Sequence, residues 1–221
     1  MTYSILARDP QTGAIGGVAA TGSYCVGGWV LRGDVKIGMS ASQGASASTI
    51  LGDEMLMQMG LGESPETIIQ AIKDKDQGLE HRQISMLSIE GQTAVYSGKS
   101  NENITDDFHE ENFVTSGNML GSNQIISSIK DYYYGTDTNL PLAHRLLESL
   151  KQGAQAGGDK RGLLSAAMLI LHPDHAPLNL RIDHHENPIT ELSLLYQKVT
   201  SGDYYEWTQT VPTRNNPYRF K

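Results

Sequence analysis

One cysteine, Cys25, stands in this chain of 221 residues, so no intrachain disulfide can brace it. Between Tyr24 and Val26 it reads as a buried strand residue rather than a reactive thiol. Positive charge is scarce as well. Seventeen Lys and Arg against 25 Asp and Glu leave a net charge of −8, which disfavours nucleic acid and anionic membrane as main partners. No apolar run approaches the ~18 residues that a bilayer span requires. No basic start followed by an apolar stretch precedes the first strand, so a cytoplasmic location is expected. Linker-like stretches and internal repeats are also missing. With 38% hydrophobic residues and 23 glycines, the chain is expected to form one domain over 1–221 with a sizeable core and many turns.

What is present is a mixture of strand and helix signals. Residues 2–8 and 14–20 are small and β-branched, and Asp9-Pro10-Gln11-Thr12-Gly13 between them punctuates a hairpin. Further strands are expected at 24–31, 35–42, 82–90, 92–97, 113–116, 163–171 and 178–182. Helices are expected at 48–60, from the Ser64-Pro65 start onward, at 119–133, from Pro141, and from Asn187-Pro188 to about 200. The polar, acidic stretch 98–112 reads as an exposed loop. These elements describe an α+β protein. The aromatic, Pro-containing stretch 203–221 is expected to pack on the domain or on a partner subunit, with a homodimer as the expected assembly.

The first residues carry a specific chemical possibility. Thr2 follows Met1, and an initiator methionine is usually trimmed before so small a residue. Trimming would leave the Thr2 hydroxyl beside its own α-amine, whose ordinary pKa near ~7.7–8 lets it act as a base at neutral pH.

Several segments add to this in order along the chain: Thr2 to Pro10, Thr12-Gly13-Ala14-Ile15-Gly16, Arg82-Gln83-Ile84-Ser85, Ser116-Gly117-Asn118-Met119-Leu120, the Gly157 to Gly162 segment, and Leu180 to His185. Together they resemble a bacterial and archaeal family of unknown function that is grouped with the N-terminal nucleophile (Ntn) hydrolases. The resemblance covers nearly the whole chain. It implies the four-layer αββα sandwich of those enzymes, Thr2 as nucleophile and acyl transfer without a cofactor. It implies no particular substrate.

Within that frame each polar residue has an expected role. Asn118, read at a strand-to-helix junction, is the candidate donor to a developing oxyanion, or a helix cap. Lys36, on the expected fourth strand, sits where some Ntn hydrolases place a lysine that lowers the nucleophile's pKa. Ser40 and Gln43 follow on the same strand as candidate substrate contacts. Asp159 could orient the Thr2 amine or pair with Arg161. Arg161 and Arg82 could clamp a substrate carboxylate. The expected substrate is thus a small, carboxylate-bearing amide.

Two other readings remain open on the residues alone. The first is a binding or scaffold protein that keeps the fold without the chemistry. The second is a metal-dependent hydrolase built on His172, His175, His184 and His185, should the ends of two neighbouring strands bring them together. A solvated turn region is the simpler account of those histidines.

Overall fold

The computed structural model of the chain describes residues 1–101, 104–157 and 162–220. The expected hairpin forms from β1 (Thr2–Arg8) and β2 (Ile15–Thr21). Its turn closes with Gly13 N donating to Asp9 O at 2.9 Å, and Gly13 takes a left-handed φ of 77° that suits glycine. β7 (Ile104–Glu110), β8 (Phe113–Leu120), β9 (Ser165–His172) and β10 (His175–Ile182) extend this hairpin. The resulting six-stranded sheet has the order β10-β9-β2-β1-β8-β7. A second sheet has the order β3 (Leu31–Asp34), β4 (Gly38–Gln43), β5 (Gln83–Ser88), β6 (Thr93–Ser97). Every strand pairing described is antiparallel.

Seven α-helices are present among the described residues: α1 (Val26–Trp29), α2 (Thr49–Gly60), α3 (Pro65–Lys75), α4 (Ile125–Gly135), α5 (Leu142–Gln155), α6 (Pro188–Val199) and α7 (Gly202–Thr208). Ser48 and Ser64 cap α2 and α3 by accepting from Leu51 N and Thr67 N. The protein is therefore a mixed α+β structure with two antiparallel sheets.

Strand alternation sorts the core into three apolar clusters. In β1, Tyr3, Ile5 and Ala7 face α4 and α5, where they meet Ile125, Ile129, Leu146 and Leu150. Tyr3 also donates its hydroxyl to Leu150 O at 3.0 Å. Leu6 faces the other way, into a cluster with Ile15, Ala19, Met39, Ala41, Leu87 and Val114 that joins the two sheets. Met55, Met59, Ile68 and Ile72 cover the outer face of the smaller sheet through Ile84 and Met86. β2 stays small because its neighbours run close. A Cβ on Gly16 would lie 2.5 Å from Leu169 O, and one on Gly17 would lie 2.8 Å from Ile5 O.

Three expectations are corrected. Residues 24–31 are not a strand. Gly27 and Gly28 let the chain form the short α1 beneath Arg181, and a Cβ on Gly27 would lie 2.7 Å from the Ala167 side chain. Cys25 caps that turn with φ 59°, half-buried, instead of lying in a strand. Within 98–112, the acidic run from Ile104 is the edge strand β7, whose charges suit an unpaired edge. Third, the strand from Phe113 continues to Leu120, and α4 starts only at Ile125.

The segment after α7 lies on its own chain, where Asn215 donates through N to Pro173 O and through Nδ2 to Asp174 Oδ1. No helix among the described residues is long and apolar enough to cross a membrane.

Candidate active site

Register places four hydroxyl- or amide-bearing residues side by side. Thr2 is paired with Asn118 on β8 and with Thr21 on β2, and Thr21 is paired with Ser165 on β9. Paired residues share a face, so Asn118, Thr2, Thr21 and Ser165 form one polar row across four adjacent strands. Two residues along, the row is Ser116, Ser4, Ala19, Ala167. Two further, it is Val114, Leu6, Gly17, Leu169. Polarity therefore rises toward one end of the space between the sheets. From the opposite sheet comes a matching row, Gln43, Gln83 and Ser97, paired across β4, β5 and β6.

The two rows are tied by amides whose orientation the network fixes. Gln83 Nε2 donates to Ser97 Oγ (2.8 Å), Gly117 O (3.1 Å) and Asp106 O (3.2 Å). Two of those acceptors are carbonyls, which only an NH2 can satisfy, so Gln83 Oε1 must point the other way. There it accepts from Gln43 Nε2 at 2.8 Å and Asn118 Nδ2 at 3.2 Å. Gln43 Nε2 also lies 3.2 Å from Ser116 O and 3.5 Å from Thr2 O. Ser97 Oγ in turn donates to Asp107 Oδ2 at 2.5 Å. The oxygens left over, Gln43 Oε1 and Asn118 Oδ1, are buried and accept nothing from the described residues. Asn118 thus turns its NH2 to Gln83 and keeps an acceptor unused.

At Thr2 the hydroxyls form a directed chain. Thr21 Oγ lies 2.6 Å from Met1 O, which can only accept, so the Thr21 proton is committed there. Thr2 Oγ lies 2.9 Å from Thr21 Oγ and must therefore be the donor of that pair. Ser23 N also donates to Thr21 Oγ, at 3.3 Å. Met1 itself is 1% exposed and packs in the cluster with Tyr3, while Thr2 is half-buried.

Of the residues singled out from the sequence, Thr2, Asn118 and Gln43 come together here. Asn118 does so from the middle of a strand, not from a helix start. Ser40 does not join them, because it faces the helix side of β4 and donates to Gly52 O at 2.7 Å. Lys36 is exposed in the β3–β4 turn, with about 17 Å of strand between that turn and Gln43. Arg82 braces a loop instead of facing Thr2, with Nε 2.7 Å from Asp76 Oδ2 and Nη1 donating to Ser46 O. Asp159 and Arg161 lie outside the described residues. The sequence reading missed Thr21, Gln83 and Ser97. For Gln83 a signal existed: strand alternation puts it on the face opposite Arg82, which drew attention by its charge.

The four histidines do not gather. His172 and His175 sit at the turn of the β9–β10 hairpin, with ring centroids 4.4 Å apart. His172 accepts from Asp174 N through Nδ1 and bonds Thr12 O through Nε2. His184 and His185 follow the far end of β10, where His184 packs edge-on to Tyr24. Among the described residues no three His, Cys, Asp or Glu side chains are grouped so as to hold a metal ion. A cavity of about 970 Å³ opens beside His172, His175, Tyr196, Tyr204 and Trp207. It lies at the end of β9 opposite Ser165, about 23 Å along the strand from the polar row.

Comparison with known proteins agrees with this architecture. Residues 2–192 match the model of a family of unknown function, DUF1028, and the chain belongs to that family. It is similar to a crystal structure of a Silicibacter pomeroyi protein of the same family, with 46% identity and a TM-score of 0.94, covering 99% of this chain and 95% of that one. Among curated proteins none matches the sequence.

Proposed function

We propose that this protein is an amidohydrolase of the N-terminal nucleophile type, acting on a small amide by acyl transfer through Thr2 after loss of Met1. The observation that carries the reading is the position of Thr2. It begins the first strand and sits half-buried in a polar row at one end of the space between two sheets. α2 and α3 pack outside the smaller sheet, and α4, α5 and α6 outside the larger one. That order is what a four-layer αββα sandwich requires, and it supports the same reading.

In the proposed cycle Thr2 Oγ attacks the amide carbonyl, the freed α-amine takes the proton and returns it to the leaving nitrogen, and water releases the acyl group. The carboxylate once expected on the substrate loses part of its basis, since Arg82 is engaged by Asp76 and Ser46. The test is a panel of small amides offered to the Met1-free protein and its Thr2→Ala variant. Turnover by the first and none by the second is expected. Equal turnover by both would remove Thr2 from the mechanism.

One observation favours a non-catalytic binding protein instead. Met1 is almost fully buried, and its carbonyl accepts from both Thr21 Oγ and Gly22 N. A chain that keeps Met1 has no free amine at Thr2, and the polar row would then serve recognition alone.

A further inference from the structure

We infer that Thr21 is the proton relay between the Thr2 hydroxyl and the Thr2 α-amine, an inference that rests on the nucleophile reading above. Three facts carry it. Thr2 Oγ donates to Thr21 Oγ at 2.9 Å, and Thr21 Oγ–H donates onward to Met1 O at 2.6 Å. Thr21 is 4% exposed and fixed in β2 directly beside Thr2, so bulk water does not compete for this hydroxyl. Third, Met1 O belongs to the peptide group that holds Thr2 N, and standard bond lengths put the two atoms about 2.3 Å apart.

When Met1 leaves, its carbonyl goes with it and the Thr21 proton loses its acceptor. The Thr2 amine then offers a lone pair about 2.3 Å from where the carbonyl oxygen stood, a new acceptor for that proton. The same two hydroxyls then connect nucleophile to base. As Thr2 Oγ bonds to the substrate carbonyl carbon, its proton passes to Thr21 Oγ. The Thr21 proton passes in the same motion to the amine, which becomes an ammonium. As the carbon–nitrogen bond breaks, the ammonium gives a proton to Thr21 Oγ and Thr21 gives its own to the leaving nitrogen, while the acyl carbon stays bonded to Thr2 Oγ. Thr21 ends each step as it began, and no further reactant is consumed. An amine and a hydroxyl on one residue are poorly aligned for direct transfer, because the ring they would close has only five members. A hydroxyl held between them removes that constraint.

The experiment measures acylation of the Met1-free protein by a small β-lactone, followed by intact mass, in wild type, Thr2→Ala, Thr21→Val, Thr21→Ala and Thr21→Ser. The expected result is no adduct on Thr2→Ala. Acylation should slow about 100-fold in Thr21→Val or Thr21→Ala and recover to within about threefold of wild type in Thr21→Ser. Rate against deuterium fraction should be curved for wild type, with two protons in flight, and linear for the Val or Ala variant. Wild-type rates in both Thr21 variants, with Thr2→Ala still inert, would overturn the relay and leave the nucleophile standing. A slowed variant with an unchanged, curved deuterium dependence would make Thr21 structural only. Labelling of Thr2→Ala at the wild-type rate, or no labelling of wild type, would overturn the nucleophile reading and the relay with it. Circular dichroism identifies which Thr21 variants are folded, and either apolar one suffices.

Discussion

The Thr21 hydroxyl lies between the Thr2 hydroxyl and the Met1 carbonyl, 2.9 Å from one and 2.6 Å from the other. In the Met1-containing chain this arrangement draws the proton of Thr2 toward a peptide group and not toward a base. The proposed chemistry and the protein's stability therefore make opposite demands on Met1. Its side chain is buried with Tyr3 in the larger core cluster, and burying a methionine is worth about 1.5–3 kcal/mol. Met1-free protein should be less stable than Met1-containing protein by roughly that amount, as measured by urea unfolding of the two forms. Because Met1 is 1% exposed, an aminopeptidase should trim the unfolded chain and spare the folded one.

Gln83 should be among the least replaceable residues of the site. Its Oε1 satisfies both Gln43 and Asn118, and its Nε2 satisfies two carbonyls. Thermal or urea unfolding of Gln83→Leu should show a loss of at least about 3 kcal/mol, because each buried polar group left unpaired costs roughly 1–3 kcal/mol. Gln83→Glu would turn a carboxyl oxygen toward Asp106 O and Gly117 O, which raises that carboxyl's folded pKa. A raised pKa gives stability that is present at low pH and lost as pH rises, so this variant should be closest to wild type in acid.

The Asp9–Arg145 pair should behave as a buried ion pair. The Arg145 Nη2 to Asp9 Oδ2 distance is 2.9 Å, and the side chains are 6% and 7% exposed. Arg145 also donates to Leu140 O and lies over the Tyr133 ring. Removing one charge strands the other, so Arg145→Met should cost about 3–5 kcal/mol in a denaturant titration. The double change Asp9→Asn with Arg145→Met should cost less than Arg145→Met alone.

Asp76 sets an acid-side dependence. The Arg82 guanidinium hydrogen-bonds its carboxylate and holds its pKa below the usual range, while partial burial opposes this and the Gly78 N–H assists. A lowered folded pKa gives stability that is present above the unfolded value, near ~4, and lost as pH falls through the folded one. Asp76→Asn should therefore be less stable than wild type near neutral pH. The difference should shrink below about pH 4, as read from urea midpoints across that range.

Much of the fold was legible because its signals are local. The Asp9–Gly13 turn, the Ser64 cap and the apolar β9 are each decided by neighbours in sequence. The failures came where distant contacts decide. Gly27 and Gly28 turn because Ala167 and Arg181 press against them, and β7 is polar because it is an edge. The site was legible only in part for the same reason. Thr2 could be named from its place behind Met1. Thr21 becomes its neighbour only through hairpin register, and Gln83 only through the packing of one sheet on the other. Lys36 and Arg82 drew attention as charges, yet the described side chains that bond to Thr2, those of Thr21 and Gln43, are uncharged.

The most direct measurement is the intact mass of the untagged chain, folded and purified from cells with normal methionine aminopeptidase. A mass short by one methionine residue, with Thr2 at the N-terminus, is expected. A full-length mass would contradict the nucleophile reading, because the α-amine that must serve as base would be locked in a peptide bond.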